Sequence, residues 1–408
     1  MAGDMISQLT SGELILAFTF ISPRTAYFHI MALPSLMLRI CIVLGLMAPI
    51  ANALGAPSRR QFVQNAVGNS AAVAALVVSA PALATTTTTT SSTDFFTPST
   101  HSLDNKLMIV TGGTAGLGLE TGKRLAIGGA TIILTSRTAA KGAAAVDAVK
   151  EYAAEQGVLN DKVYSVVLDL DDLESVKTFS SRLAATVGQQ MINVLVNNAG
   201  VMAIPDRELT KDGFERTFQS NHLGHFVLTA MLLDKLAPDA RIVNVSSEAY
   251  LFASGGLDLE NLNGETKYGP WSSYGQSKLA NILFTKELQQ RADKAGRPLV
   301  AYSLHPGAVQ TDLARNMMGP EKWDKMKTEG LKGWDALLLN TMAKFIKTVE
   351  DGASTQIYLA ATDTIPSKGG EFFVEMKPEK LQKFANDMDA ANKLWAVSEK
   401  MGQVEFKL

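Results

Sequence analysis

From Asp104 onward the sequence predicts an α/β domain built on a doubly wound parallel sheet of about seven strands. Three observations carry this. Short apolar runs alternate with helix-patterned stretches. The runs are largely apolar rather than alternating, as strands covered on both faces require. A glycine-rich stretch separates the first run from the first helical pattern. Right-handed crossovers in such a sheet put ligands at the carboxyl ends of the strands.

The first run, 107–110, passes into Thr111-Gly112-Gly113-Thr114-Ala115-Gly116-Leu117-Gly118. Glycines here let a backbone approach a pyrophosphate, and the helical stretch 117–126 behind them offers unpaired N–H groups. Gly112, Thr114, Gly116, Leu117 and Gly118 are therefore candidate cofactor contacts. The second run, 131–134, leads to Ser136-Arg137. In an NAD enzyme an acidic residue at this point binds the ribose 2′-hydroxyl, and none is present. Arg137, with Lys141 in the helical stretch 139–155, offers charge-assisted hydrogen bonds to a 2′-phosphate instead, so NADP(H) is the expected cofactor. The third run, 163–168, ends at Asp169-Leu170 and is followed by a helical stretch at 173–187. The fourth, 194–196, ends at Asn197-Asn198-Ala199-Gly200. A long helical stretch spans 213–236. The fifth run, 242–245, ends at Ser246-Ser247. A helical stretch at 274–292, a sixth run at 299–303 and Phe372-Phe373-Val374 as a seventh strand complete the pattern.

Tyr274-Gly275-Gln276-Ser277-Lys278 opens the 274–292 helix. Residues four apart share a helix face, so the phenol and the ammonium point the same way. Carbonyl reduction needs a proton donor beside the oxygen. A free tyrosine titrates near about 10, and a neighbouring cation is expected to lower that value. Tyr-x-x-x-Lys is common by chance; its weight here comes from following the fifth strand and its paired serines.

Thr-Gly-x-x-x-Gly-x-Gly, Asn-Asn-Ala-Gly, the paired serines and Tyr-x-x-x-Lys, in that order, resemble the short-chain dehydrogenase/reductase family over about residues 105–402. The resemblance implies a single Rossmann-type domain and a catalytic tetrad of Asn221, Ser247, Tyr274 and Lys278. It favours Ser247 over Ser246 as the serine that bonds the substrate oxygen, and it gives Asn221 a water-linked proton relay to Lys278. Lys278 would also bind the nicotinamide ribose, and Asp169 and Leu170 the adenine. Asn198, Ala199 and Gly200 would line the cofactor. His305-Pro306-Gly307 resembles the family's loop that seats the nicotinamide amide, which assigns Pro306, Gly307, Val309 and Thr311 to the cofactor. Ser220-Asn221-His222-Leu223-Gly224-His225-Phe226, the stretch 274–284, and Leu394-Trp395 with Ser398-Glu399 resemble the retinol dehydrogenase-like subgroup and its plant plastid-envelope relatives. The implied activity interconverts a carbonyl and an alcohol on an apolar small molecule. Two alternatives stand beside it. One is a non-catalytic NADP-binding module that reports redox state, against which both Tyr274 and Lys278 argue. The other, a minor one, is a protochlorophyllide reductase-like enzyme. Those enzymes typically carry a cysteine near the site, and here the only cysteine is Cys41, far upstream.

The formal net charge is −2, with no long basic run in the folded part, so nucleic acid is not an expected partner. His222 and His225 share a helix face but lack a third ligand at suitable spacing, so no metal is expected; they would pack beside the sheet or at a subunit interface. The segment 314–346, with Met317, Met318, Trp323, Met326 and Trp334, reads either as an apolar lid over substrate or as ordinary core. Association with a membrane and with a second copy of the chain are both left open.

The first part of the chain reads as an address. Residues 1–84 form a targeting presequence and 85–103 a Thr/Ser-rich linker ahead of the domain at 104–408. Within 31–53, Arg39, an apolar run at 40–47 and Ala51-Asn52-Ala53 have the shape of a signal peptide. The run is short for a membrane span of about 20 residues. Within 58–84, Ser58-Arg59-Arg60-Gln61-Phe62-Val63 resembles a twin-arginine signal, followed by a small-residue site at Ala82-Leu83-Ala84. Two addresses in series resemble the presequence of an alga with complex plastids, which implies the plastid stroma or the thylakoid lumen.

Overall fold

The computed structural model describes residues 18–22, 25–28, 95–309, 347–364 and 367–408. Both targeting signals, Thr311 and the segment 314–346 lie outside them. In the N-terminal unit, Met1–Ser92, the described residues form an antiparallel hairpin, Phe18–Ser22 with Thr25–Phe28.

The second unit alternates strand and helix: β1 Leu107–Val110, α1 Gly116–Ile127, β2 Thr131–Ser136, α2 Ala139–Glu155, β3 Val163–Val167, α3 Leu173–Lys177, α4 Phe179–Val187, β4 Ile192–Asn197, α5 Gly224–Leu232, β5 Leu236–Val245, α6 Pro270–Lys294, β6 Val300–His305, α7 Val349–Ala361, β7 Phe372–Val374, β8 Lys377–Pro378 and α8 Met388–Gly402. The eight strands lie in the order β8-β7-β6-β5-β4-β1-β2-β3. All pairings are parallel except that of β8 with β7. Strand order reverses between β1 and β4, where a parallel sheet opens a crevice for a ligand.

The apolar runs become central strands because each serves two cores. Along β1, Leu107 and Ile109 join one cluster while Met108 and Val110 join the other, the period of two that a strand imposes. Helices α1, α2 and α7 cover one face; α3 to α6 and α8 cover the other. Helix α6 begins with Pro270 in its first turn, where a missing N–H costs nothing. Helix α8 starts on an Asp387 cap that accepts from the Ala390 N–H, and it buries Trp395 among Phe226, Phe284 and Phe406.

Four details differ from the sequence pattern. The helix expected over 213–236 is instead a helical turn Arg216–Phe218, a π-helical stretch Gln219–Leu223, α5, and a 3-10 turn Leu233–Lys235. Strand β5 starts at Leu236, inside that expected helix: Leu228, Leu232, Leu233 and Leu236 keep helical spacing, but the last pairs with Ile192 of β4. The expected helix at 173–187 breaks at Thr178, whose hydroxyl bonds the Glu174 carbonyl at 2.7 Å. An eighth, two-residue strand ends the sheet, with Pro378 at its edge, where a missing donor is tolerated. In addition, residues 95–103, assigned by composition to the linker, pack on the domain: Arg124 donates to the Phe96 carbonyl, Phe96 meets Tyr358 edge-on, and Leu103 is buried.

Candidate active site

The loop after β1 is shaped by close approaches. Gly112 sits at φ +64°, and a Cβ there would stand 3.0 Å from both Cα and Cβ of Ala199. A Cβ on Gly118 would run into the Gly112 carbonyl oxygen and lie 2.6 Å from Asn198 Nδ2. Helix α1 has no side-chain cap at Ala115 and no acidic residue in its first turn, so its N-terminal amides face the loop uncapped. A loop of this shape is one in which backbone N–H groups could meet an anion. Gly118→Ala is expected to cost about 1–3 kcal/mol through overpacking and to abolish nucleotide binding. Thermal melts and a cofactor titration check both; unchanged binding would mean that this loop does not hold the ligand.

Thr111 knots that loop to the end of β4. Its hydroxyl oxygen accepts from the N–H groups of Asn198 at 2.8 Å and Ala199 at 2.9 Å, and Asn198 Nδ2 donates back to the Thr111 carbonyl at 2.8 Å. At the end of β2, Arg137 and Lys141 are exposed, and Arg137 makes no ion pair among the described residues. They flank the start of α2, where Thr138 caps the Lys141 N–H and the first turn again lacks an acid. Beyond β3, Asp169 Oδ1 accepts from the Asp171 N–H, and the carbonyl of buried Leu170 accepts from Gln219 Nε2.

The chemistry-bearing side chains gather at the ends of β4 and β5. Ser246 donates to the Lys278 carbonyl at 2.7 Å and is wholly buried. Ser247 caps the 3-10 turn Glu248–Ala253 by accepting from the Ala249 N–H, and its hydroxyl pairs with that of Tyr274. Of the two serines, Ser247 is the one that reaches the phenol. Lys278 Nζ donates to the Val245 carbonyl at 3.0 Å and lies 5.5 Å from the centre of the Tyr274 ring. Asn281 donates to the same carbonyl at 3.2 Å. Asn221, within the π-helical stretch, is locked at both ends of its amide: Oδ1 accepts from the Val201 N–H, and Nδ2 donates to the Val201 carbonyl and to Ser277 Oγ. A Cβ built on Gly200 would stand 2.9 Å from Asn221 Oδ1 and 3.7 Å from Lys278 Nζ, so both groups border the space over Gly200.

Burial governs the titration here. It pushes Tyr274 up to about 12, against a smaller lowering by the Ser247 bond, and pushes Lys278 down to about 8. The lowering of the phenol by Lys278 that Tyr-x-x-x-Lys leads one to expect is not found: desolvation disfavours phenolate, and the ammonium is turned to the Val245 carbonyl.

Pro306 and Gly307 follow β6, with Gly307 at φ +93° beside Lys347, and Val309 bridges to Lys347. The two histidines on the π-stretch and α5 part company. His222 sits among Phe218, Phe226 and Phe284 and bonds Ser398 Oγ, whereas His225 bonds Thr111 and the Asn221 carbonyl. Among the described residues no group of three metal-ligating side chains gathers, and no helix is long and apolar enough to cross a membrane. Thr111, Ser277 and Asn281 join this cluster although the sequence patterns gave them no role, and His225, weighed there only as a metal ligand or a packing residue, joins it too. Thr111 opens the glycine motif, which was the available signal for it.

Comparison with known proteins follows this geometry. The profile of the family described as short chain dehydrogenase matches residues 106–322. Human retinol dehydrogenase 11 is 38% identical over 302 residues, 74% of this chain and 86% of the relative. The short-chain dehydrogenase TIC 32 A, chloroplastic, of Brassica napus is 34% identical over 313 residues, 74% of this chain and 91% of the relative. A solved structure of an uncharacterised protein from Mycobacterium Paratuberculosis aligns with a TM-score of 0.58 at 35% identity, covering 77% of this chain and 99% of that one.

Proposed function

The chain belongs to the short-chain dehydrogenase family, and from that premise we propose that it is an NADP(H)-dependent oxidoreductase that interconverts a carbonyl and an alcohol on an apolar small molecule. One observation carries the proposal: Ser247, Tyr274, Lys278 and Asn221 converge at the carboxyl edge of the sheet, beside a glycine cradle with an open helix start.

The residues present fit the cofactor. The cradle at Gly112, Gly116 and Gly118 suits a pyrophosphate, and Arg137 with Lys141 at the start of α2 suits a 2′-phosphate. NADP(H) bound there supplies or accepts a hydride. Tyr274 stays protonated through neutral pH, since burial pushes it to about 12, and so stands ready to give its proton to a carbonyl oxygen. Ser247 donates to the same oxygen and orients it. Lys278 holds a positive charge beside the phenol, and Asn221 fixes the backbone next to that ammonium. Retinol dehydrogenase 11 as a relative supports an apolar alcohol or aldehyde as substrate.

The test is a panel of apolar aldehydes and ketones with NADPH and with NADH. Oxidation of NADPH that depends on a carbonyl compound is expected; NADPH binding without turnover of any compound would favour a binding module instead. The chloroplastic relative and the multipartite extension support residence in a plastid. N-terminal sequencing of protein from fractionated plastids should then begin after Ala53, or after Ala84 if the twin-arginine segment is used. A mature chain that retains Arg59-Arg60 would exclude the second cleavage.

A further inference from the structure

We propose that His225 is a positioning residue: as its Nδ1–H tautomer it ties the loop under the cofactor to the backbone carbonyl of Asn221, and so sets the spacing between the nucleotide end and the chemistry end of the site. The proposal rests on the oxidoreductase reading above.

The tautomer follows from counting donors and acceptors. A threonine hydroxyl has one hydrogen and two lone pairs. At Thr111 both lone pairs are taken, by the N–H groups of Asn198 at 2.8 Å and Ala199 at 2.9 Å. Its hydrogen has two acceptors within reach, His225 Nε2 at 2.9 Å and the Val196 carbonyl at 3.3 Å. The carbonyl is the longer contact and already receives the Thr111 N–H at 3.0 Å. Nε2 is therefore the acceptor, and a neutral imidazole that accepts at Nε2 carries its proton on Nδ1. Nδ1 lies 3.0 Å from the Asn221 carbonyl, which can only accept. Every lone pair and every polar hydrogen of the two side chains is thus used once. Burial also holds the ring neutral, with its titration pushed down to about 4.

The tie joins two parts of the site that nothing else on α5 joins by a side chain among the described residues. On one side Thr111 opens the loop whose Gly112 packs on Ala199. On the other, the π-helical stretch carries Asn221, whose side-chain amide is committed to Val201 and Ser277 and whose carbonyl oxygen His225 engages. His222, three residues earlier, has a different setting: it lies in an aromatic cluster, bonds Ser398 Oγ and has Asn281 as its other polar neighbour.

Two measurements on the full-length protein test this. The first is ¹⁵N NMR of histidine-labelled protein at pH 7, with the His225 signal assigned by its loss in His225→Phe or His225→Gln. A neutral Nδ1–H ring is expected; an Nε2–H or doubly protonated ring overturns the proposal whether or not the protein is an enzyme. The second is a double-mutant cycle of Thr111→Val and His225→Phe, read by NADPH affinity and by kcat on a carbonyl compound. Each single change should weaken NADPH binding and lower kcat roughly tenfold, with the pair no worse than the poorer single, as for residues acting through one contact. His225→Gln, whose amide both donates and accepts, should restore most of the loss. Additive losses, or melting temperatures that fall while affinity and kcat hold, overturn the proposal and leave His225 a packing residue. A wild type that neither binds NADPH nor reduces any carbonyl compound sinks the oxidoreductase reading itself, and with it the positioning role, even with the tautomer as expected.

Discussion

Tyr274→Phe is expected to lose about 10²–10⁴-fold in carbonyl reduction, the usual range for removing a general acid, while binding NADPH with near-normal affinity. The substitution deletes one hydroxyl and keeps the ring. Edge-on packing of Trp271 against that ring is retained. Ser247 keeps its bond from the Ala249 N–H, and Lys278 keeps the Val245 carbonyl. Neither the glycine cradle nor Arg137 is touched, so stability and cofactor binding should hold. Lys278→Met should cost more, because it removes both the charge beside the phenol and a contact expected for the nicotinamide ribose. The pH profile of the wild type carries the same logic. Tyr274, pushed up to about 12, stays protonated over the working range. Lys278, pushed down to about 8, carries its charge below that value and loses it as pH rises. Reduction should therefore be flat through neutrality and decline above about pH 8, read as kcat/KM from pH 6 to 10. A profile flat to pH 10 would remove the charge on Lys278 from the mechanism, and Tyr274→Phe acting at the wild-type rate would remove the tyrosine.

How much of this was legible in the sequence depends on the kind of contact involved. Central strands were readable because burial on both faces demands continuous apolar runs, and the glycine loop because close approach demands the absence of a Cβ. The break in the 213–236 helix was not readable. Leucines at helical spacing continue into Leu236, and only pairing with Ile192 turns that residue into strand. The π-helical stretch leaves no mark in periodicity at all. Helix α7 lay outside the pattern because its buried face is mostly small and polar, with Gly352, Ser354, Thr355 and Gln356 among its buried residues. The choice between Ser246 and Ser247 came from resemblance alone, since adjacent serines look alike in sequence; in the structure the first is spent on the Lys278 carbonyl and the second faces Tyr274. The pairing of His225 with Thr111 spans 114 positions, and no local pattern announces it. Shared helical spacing grouped His225 with His222, yet the two differ in every partner.

Arg137→Asp is the change expected to move cofactor choice furthest. Hydrogen bonds to a charged group are worth about 1.5–3 kcal/mol, so losing the guanidinium alone should weaken NADPH by about 10–150-fold. The new carboxylate also repels a 2′-phosphate, while it can accept from the free 2′-hydroxyl of NADH. The two effects oppose each other across the pair of cofactors, so the NADPH to NADH preference should swing by more than the loss of NADPH affinity alone. The fold should tolerate the change. Arg137 is exposed and makes no ion pair among the described residues, Thr138 keeps its cap on the Lys141 N–H, and a carboxylate just ahead of α2 faces the favourable end of the helix dipole. Lys141 is left in place and should preserve some residual affinity for the phosphate, so Arg137→Asp with Lys141→Ala is expected to go further than either change alone. Equilibrium titration of NADPH and NADH by fluorescence reads all of these. Should NADPH bind Arg137→Asp as tightly as the wild type, the 2′-phosphate does not lie at the end of β2, and the assignment of NADP(H) to this chain fails with it.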